Sequence, residues 1–375
     1  MRMILAAAFV LAFVLSLALT ALVRRVAQRI GFVDRPGGRK QHAEPTPFGG
    51  GVAIVLASCV VILGAAAAAH ALNQNPFQAD LADLLWSVPQ GLGEDVERAA
   101  DRLPLVLYVL GGGLAIAFLG LLDDVHPLRP LVKLLCQIVI VTLIVISSGM
   151  RATAHVPGEV IPVAITALWV VLLTNSFNLL DNVDGLSGTV AFICGGALLV
   201  LALQTTQFFI AGFVLALMGA VLGFLFFNFP PASIFMGDTG SMFLGYMLAT
   251  ATVLTTFVTQ DQSNPLFPLV VPLVLFAVPL YDTVSVAVIR LRGGKPLLIG
   301  DRNHFSHRLM RLGLSTRQML LTVGLITLAT ALGATVAHGS STWRVVAPAI
   351  QVACALAVIM LLEIASSKGR QAAQE

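Results

Sequence analysis

The sequence predicts an all-α, polytopic integral membrane protein of about eleven transmembrane helices. Three observations lead there. Of the 375 residues, 57% are hydrophobic and only 11% charged, well under half the charged fraction of an ordinary soluble domain. Apolar windows near the ~20 residues that cross a bilayer recur along the whole chain. The basic residues fall on alternate connections between those windows, as the positive-inside rule describes.

The windows lie near Met3–Val23, Gly50–His70, Pro104–Leu122, Val132–Ser148, Val160–Leu179 and Ser187–Leu203, then Phe208–Phe227, Thr239–Val258, Phe267–Val288, Met319–Ala337 and Arg344–Leu362. The first is longer than a signal-peptide core and runs into Arg24, Arg25 and Arg29 instead of a small-residue cleavage site, so it is read as a retained span. With eleven spans, connections on the amino-terminal side hold Arg2, Arg98, Arg102, Arg151 and Arg344, whereas the opposite side holds seventeen of the 22 basic residues. That face is therefore predicted to be cytoplasmic, with the amino terminus outside and the carboxyl terminus inside. Topology accounts for the net charge of +3, and nucleic acid is not implied. Cys59, Cys136, Cys194 and Cys354 sit inside apolar runs without ligand spacing, which reads as buried thiols.

The chain is read as one transmembrane domain, 1–375, with an acidic external loop at about 71–103. Its unusual polar residues collect in predicted cytoplasmic loops at about 24–49, 123–131, 180–186, 228–238 and 289–318. Short, bland segments such as QTTQ and HGSST connect the other face. This inequality points to a cytoplasmic active site.

Asp123 and Asp124 end the third apolar window. Paired acids suit a magnesium ion completed by water and substrate phosphate, a general base, or simply a helix end at the interface. Lys133 can serve a phosphate or snorkel to the headgroups; alone, it reads as the latter. Asn175, Asn178, Asp181 and Asp184 recur every third residue and wrap around a helix end. Two amides and two acids there exceed what capping requires, given the cost of polar groups at membrane depth. Asp238, between Gly237 and Thr239-Gly240, reads either as an N-cap or as a ligand where glycines allow close approach. Asn228 closes the preceding span before Pro230-Pro231. His304 and His307 lie among Arg302, Arg308 and Arg311. Two histidines can take zinc, but the acids are harder donors than zinc prefers. A basic loop facing carboxylates better fits a phosphate-bearing substrate bridged by a divalent ion. There is no GxxxxGK[ST], and hence no P-loop.

Together LLDD…K, NSFNLLDNVDGLSG, NFPPASIFMGDTGS and the HFSH loop resemble the polyprenyl-phosphate N-acetylhexosamine-1-phosphate transferases, from Asp34 to His307 and in the family's order. The resemblance implies a magnesium-dependent transfer (manganese as a substitute) in the bacterial inner membrane, with the active site on the cytoplasmic face. There, polyprenyl phosphate attacks the β-phosphate of a UDP-amino sugar and UMP leaves. It implies catalytic roles for Asp123, Asp124, Lys133, His304 and His307, with Asp123 a base for the lipid phosphate. It assigns the metal to Asp238, with Asp124 and Asn178 beside it. Substrate contacts fall to His42, Asn175, Asn178, Asp181, Asp184, Asn228, Arg302 and Arg308. A homodimer is the family's implied assembly. HFSH departs from the HxHH of the N-acetylglucosamine branch at Ser306, but the first loop, DRPGGRKQHAEPTPFGGG, resembles that branch most. The expected donor is UDP-N-acetylglucosamine, feeding a cell-wall, lipopolysaccharide or teichoic-acid polymer, with UDP-N-acetylmuramoyl-pentapeptide as the alternative. A secondary transporter would place its charges mid-span, and a lipid-phosphate hydrolase would need no sugar nucleotide; neither explains the motifs in combination.

Overall fold

Long apolar runs become helices here because, in lipid, each backbone amide must find its partner within its own segment. The computed structural model describes residues 2–34, 45–74, 97–152, 158–255, 267–296, 303–336, 343 and 346–357. Its helices are α1 (Arg2–Ile30), α2 (Gly50–Gln74), α3 (Leu103–Val125), α4 (Pro130–Ser148), α5 (Val160–Leu180), α6 (Leu186–Gln204) and α7 (Phe208–Asn228), then α8 (Gly237–Leu254), α9 (Phe267–Leu275), α10 (Ala277–Arg292), α11 (Phe305–Arg311) and α12 (Thr316–Val336). A shorter apolar helix, α13, covers Val346–Ala357. Among the described residues, eight of these helices (α1 to α7 and α12) are long and apolar enough to cross a membrane. The protein is an all-α polytopic membrane protein.

Two predicted spans differ in form. The window at Phe267–Val288 breaks at Phe276 into α9 and α10, with Pro272 inside α9 and Pro279 in the first turn of α10. Proline removes the amide that would continue the helix and clashes with the preceding turn. The window at Thr239–Val258 becomes α8, which carries threonines, Ser241 and Tyr246 and is buried over nearly its whole length. It packs against α2, α3, α5 and α6. Polar side chains are tolerated there because protein surrounds them.

Small residues set the closest approaches. At Gly223 of α7 a Cβ would meet the Phe13 carbonyl oxygen of α1 at 2.6 Å, and at Gly245 of α8 the Leu173 carbonyl oxygen of α5 at 2.5 Å. The glycine run that opens α2 has the same purpose. Gly50 and Gly51 donate their amides to the carbonyls of Phe235 and Met236, both at 2.9 Å. A Cβ on Gly51 would stand 2.4 Å from Gly240 Cα. Just before α2, β1 (Val33–Asp34) and β2 (Thr46–Pro47) pair antiparallel, and Phe235 N donates to Pro47 O at 2.8 Å. The first loop is thus tied to the segment that leads into α8.

Candidate active site

The ends of α1, α3, α5 and α7 and the starts of α2, α4, α6, α8 and α12 meet at one end of the bundle. Successive helices alternate in direction, so motifs far apart in sequence arrive together.

Asp123 and Asp124 are neighbours in sequence but point about 100° apart around α3, and each holds a different element. Asp123 Oδ1 accepts the Leu128 amide at 2.6 Å, fixing the turn into α4, and Oδ2 accepts Lys133 Nζ at 3.0 Å. Asp124 reaches α8. Its Oδ1 accepts Asp238 N at 2.8 Å, and its Oδ2 accepts Thr239 N at 3.1 Å and Thr239 Oγ1 at 2.7 Å. Asp124 therefore caps α8 from another helix and meets the positive end of its dipole. Gly237 makes this possible, since its φ is +75° and a Cβ there would lie 2.7 Å from Asp124 Oδ2.

Lys133, in the first turn of α4, is the centre of the cluster. Its three donors are all used, by Asp123 Oδ2, by Asn178 Oδ1 at 3.1 Å, and by Asp238 Oδ2. Asn178 Nδ2 in turn donates to Asp238 Oδ1 at 2.8 Å and to Ser241 Oγ at 3.1 Å. The structure thus brings Asp123, Asp124, Lys133, Asn178 and Asp238 together on four helices.

Asp181 follows the last turn of α5. Burial, and then the neighbouring carboxylates of Asp238, Asp124 and Asp184, push its acid well above the usual carboxylate range. Together with Asp238 and His307 it lines a cavity of about 1130 Å³. The walls also include Arg24 of α1, Thr46 to Phe48, the loop 230–237, and Ser315 to Arg317.

The donor set fits a hard divalent cation. Asp123 and Asp238 share the one ammonium of Lys133, with Asp124 close by, and a phosphate entering such a site meets more negative than positive charge. Among the described residues no three acid, histidine or cysteine side chains form a ready-made cage. Magnesium is commonly held by one or two carboxylates, with water and substrate phosphate completing its shell.

Comparison with known proteins agrees with the motifs. The family model for Glycosyl transferase family 4 matches residues 106–256. A Bacillus subtilis protein named "Probable undecaprenyl-phosphate N-acetylglucosaminyl 1-phosphate transferase" is 32% identical, over 90% of this chain and 86% of its own. The chain belongs to glycosyl transferase family 4. The Yersinia pestis undecaprenyl-phosphate alpha-N-acetylglucosaminyl 1-phosphate transferase is 28% identical, over 85% of this chain and 80% of its own. The decaprenyl-phosphate N-acetylglucosaminephosphotransferase of Mycolicibacterium smegmatis is 29% identical, over 95% and 87%. The resemblance to the polyprenyl-phosphate N-acetylhexosamine-1-phosphate transferases therefore extends over most of the chain.

Within this family 4 site, several residues named from the sequence support the cluster from behind. Asn175 lies one turn deeper on α5 and donates to Gln137 Oε1 at 2.7 Å. Asn228 is 3% exposed. Its Oδ1 accepts Gly185 N and its Nδ2 donates to Ile234 O, both at 2.9 Å, so it ties two loops together. Asp184 accepts Ala232 N at 2.9 Å. The two histidines part. His307 faces the cavity, whereas His304 is buried with its Nδ1 2.9 Å from Asp282 Oδ2. Asp282, on α10, is 0% exposed, and its Oδ1 accepts Phe305 N at 2.6 Å. Arg308 donates to Asn303 O at 3.1 Å and Ser285 Oγ at 2.8 Å, with its guanidinium over Tyr281. Ser306, the departure from HxHH, is buried and donates to Asn182 Oδ1. His42 and Arg302 lie outside the described residues.

Sequence reasoning missed Gln137, Thr239, Asn182 and the cavity roles of Arg24 and Arg317. Gln137 was detectable in principle as the one amide in LVKLLCQIVIV, a helical turn after Lys133 and on the same face.

Proposed function

We propose that the protein transfers N-acetylglucosamine-1-phosphate from UDP-N-acetylglucosamine to a polyprenyl phosphate at the cytoplasmic face of the bacterial inner membrane, releasing UMP. The observation that carries this reading is the cluster of Asp123, Lys133, Asn178 and Asp238 at the helix ends, beside a cavity large enough for a sugar nucleotide. A water-soluble donor needs the cavity, and a lipid-borne acceptor needs the reacting groups at the ends of membrane helices. The named activities of the relatives support the choice of donor and acceptor classes.

Asp238 and Asp181 are the acids that would hold a magnesium ion, with Asn178 orienting Asp238. When bound, the ion supplies charge compensation for the diphosphate and the entering phosphate. Lys133 keeps Asp123 and Asp238 at fixed separation and offers positive charge where two anions must approach. Asp123, in the last turn of α3, accepts the proton if the lipid phosphate arrives protonated. Asp124 holds the start of α8, and so sets the position of Asp238. His307 faces the same cavity and can donate to a phosphate oxygen there, with His304 and Asp282 anchoring its short helix.

The test is UMP release by purified protein in detergent with magnesium, polyprenyl phosphate and a panel of UDP-sugars. Release is expected with UDP-N-acetylglucosamine and only when the lipid phosphate is present. Preference for UDP-N-acetylmuramoyl-pentapeptide would move the protein to the other branch. Consumption of a lipid diphosphate without any nucleotide would make it a hydrolase.

A further inference from the structure

The loop 230–233 is gripped by two arginines that the transfer chemistry above does not use. Arg24, near the end of α1, and Arg317, in the first turn of α12, both line the cavity. Arg24 Nη1 donates to Ser233 Oγ at 3.2 Å, and its guanidinium lies over the Phe227 ring at 5.4 Å. Arg317 Nε and Nη2 both donate to the Pro230 carbonyl, each at 3.3 Å.

Neither arrangement is self-sufficient. Arg24 Nε is buried and has no hydrogen-bond partner among the described residues, and an unmade donor on a charged group is costly. Arg317 puts a cation in the first turn of a helix, where the helix dipole opposes it. Its two donors share one carbonyl at long range. Among the described residues no carboxylate pairs with either guanidinium. Two fixed forks of donors without a countercharge, on the wall of one cavity, suit a phosphate group.

We propose that Arg24 and Arg317 form an anion position, distinct from the Lys133 cluster, that takes the phosphate which leaves with the nucleotide. The proposal rests on the nucleotide-sugar reading and adds to it the residues that hold the leaving group. It also gives the loop 230–233 a function, since that loop keeps the two guanidiniums on one wall.

Binding of UMP and of uridine to the purified full-length protein, measured by calorimetry, separates this role from a structural one. Arg24→Gln and Arg317→Gln are each expected to weaken UMP binding by on the order of tenfold, the worth of a charge-assisted hydrogen bond. Uridine binding should change by no more than about twofold, and Arg24→Lys should recover part of the loss. Equal weakening of UMP and uridine would make the arginines mere struts for the loop and overturn the proposal. Undiminished UMP affinity in both variants would overturn it as well. Wild-type protein that binds neither compound would sink the nucleotide-sugar reading itself, and the proposal with it.

Discussion

Replacing Lys133 with methionine is expected to cut UMP release to below about a thousandth of the wild-type rate, the scale seen when a charge-stabilising donor is lost from a preorganised site. Lys133 Nζ is the common partner of Asp123, Asn178 and Asp238. Without it, two carboxylates face each other at a helix junction with no countercharge. Breaking a buried ion pair from one side costs about 3–5 kcal/mol, so the variant should also melt at a lower temperature in detergent. The double variant Asp123→Asn/Lys133→Met separates the two effects. It removes one uncompensated charge and should regain much of the melting temperature while staying inactive. Single-variant turnover within about tenfold of wild type would remove Lys133 from the chemistry.

Gly237→Ala is expected to damage stability and activity together. The residue has φ +75°, which costs an alanine about 1 kcal/mol or more. The new Cβ would also stand 2.7 and 2.9 Å from the two oxygens of Asp124. The carboxylate would have to leave, releasing the amides of Asp238 and Thr239 and the Thr239 hydroxyl. Loss of such a cap costs a further ~0.5–2 kcal/mol. Because Asp238 follows directly, activity and melting temperature should fall together. Asp124→Asn keeps the shape and one strong acceptor, so it should lose less of both. A Gly237→Ala protein that melts and turns over like wild type would disprove this anchoring of α8.

Much of this was legible before any coordinates. Apolar windows fix helices because lipid offers the backbone no other partner. The gathering of Asp123, Lys133, Asn178 and Asp238 follows from spans that alternate in direction, whatever their exact packing. What the sequence concealed was division of labour among similar residues. Asp123 and Asp124 look interchangeable in LLDD, yet one holds α4 and the other caps α8, a difference set by rotation around the helix. His304 and His307 look like one motif, yet Asp282 buries the first and leaves the second at the cavity. Asn175, Asn178, Asp181 and Asp184 form one row in the sequence, but the helix ends after Leu180 and the row disperses. A partner such as Gln137 was hidden inside an apolar run, where a single polar residue shows no pattern until its neighbour on another helix is known.

Binding of manganese, followed by electron paramagnetic resonance on the purified protein with UMP present, tests the central claim most directly. A single bound ion per chain is expected in the wild type, lost in Asp238→Asn and displaced by magnesium. Equal manganese binding by Asp238→Asn, or full UMP release by the wild type in excess chelator, would contradict a cation held by Asp238.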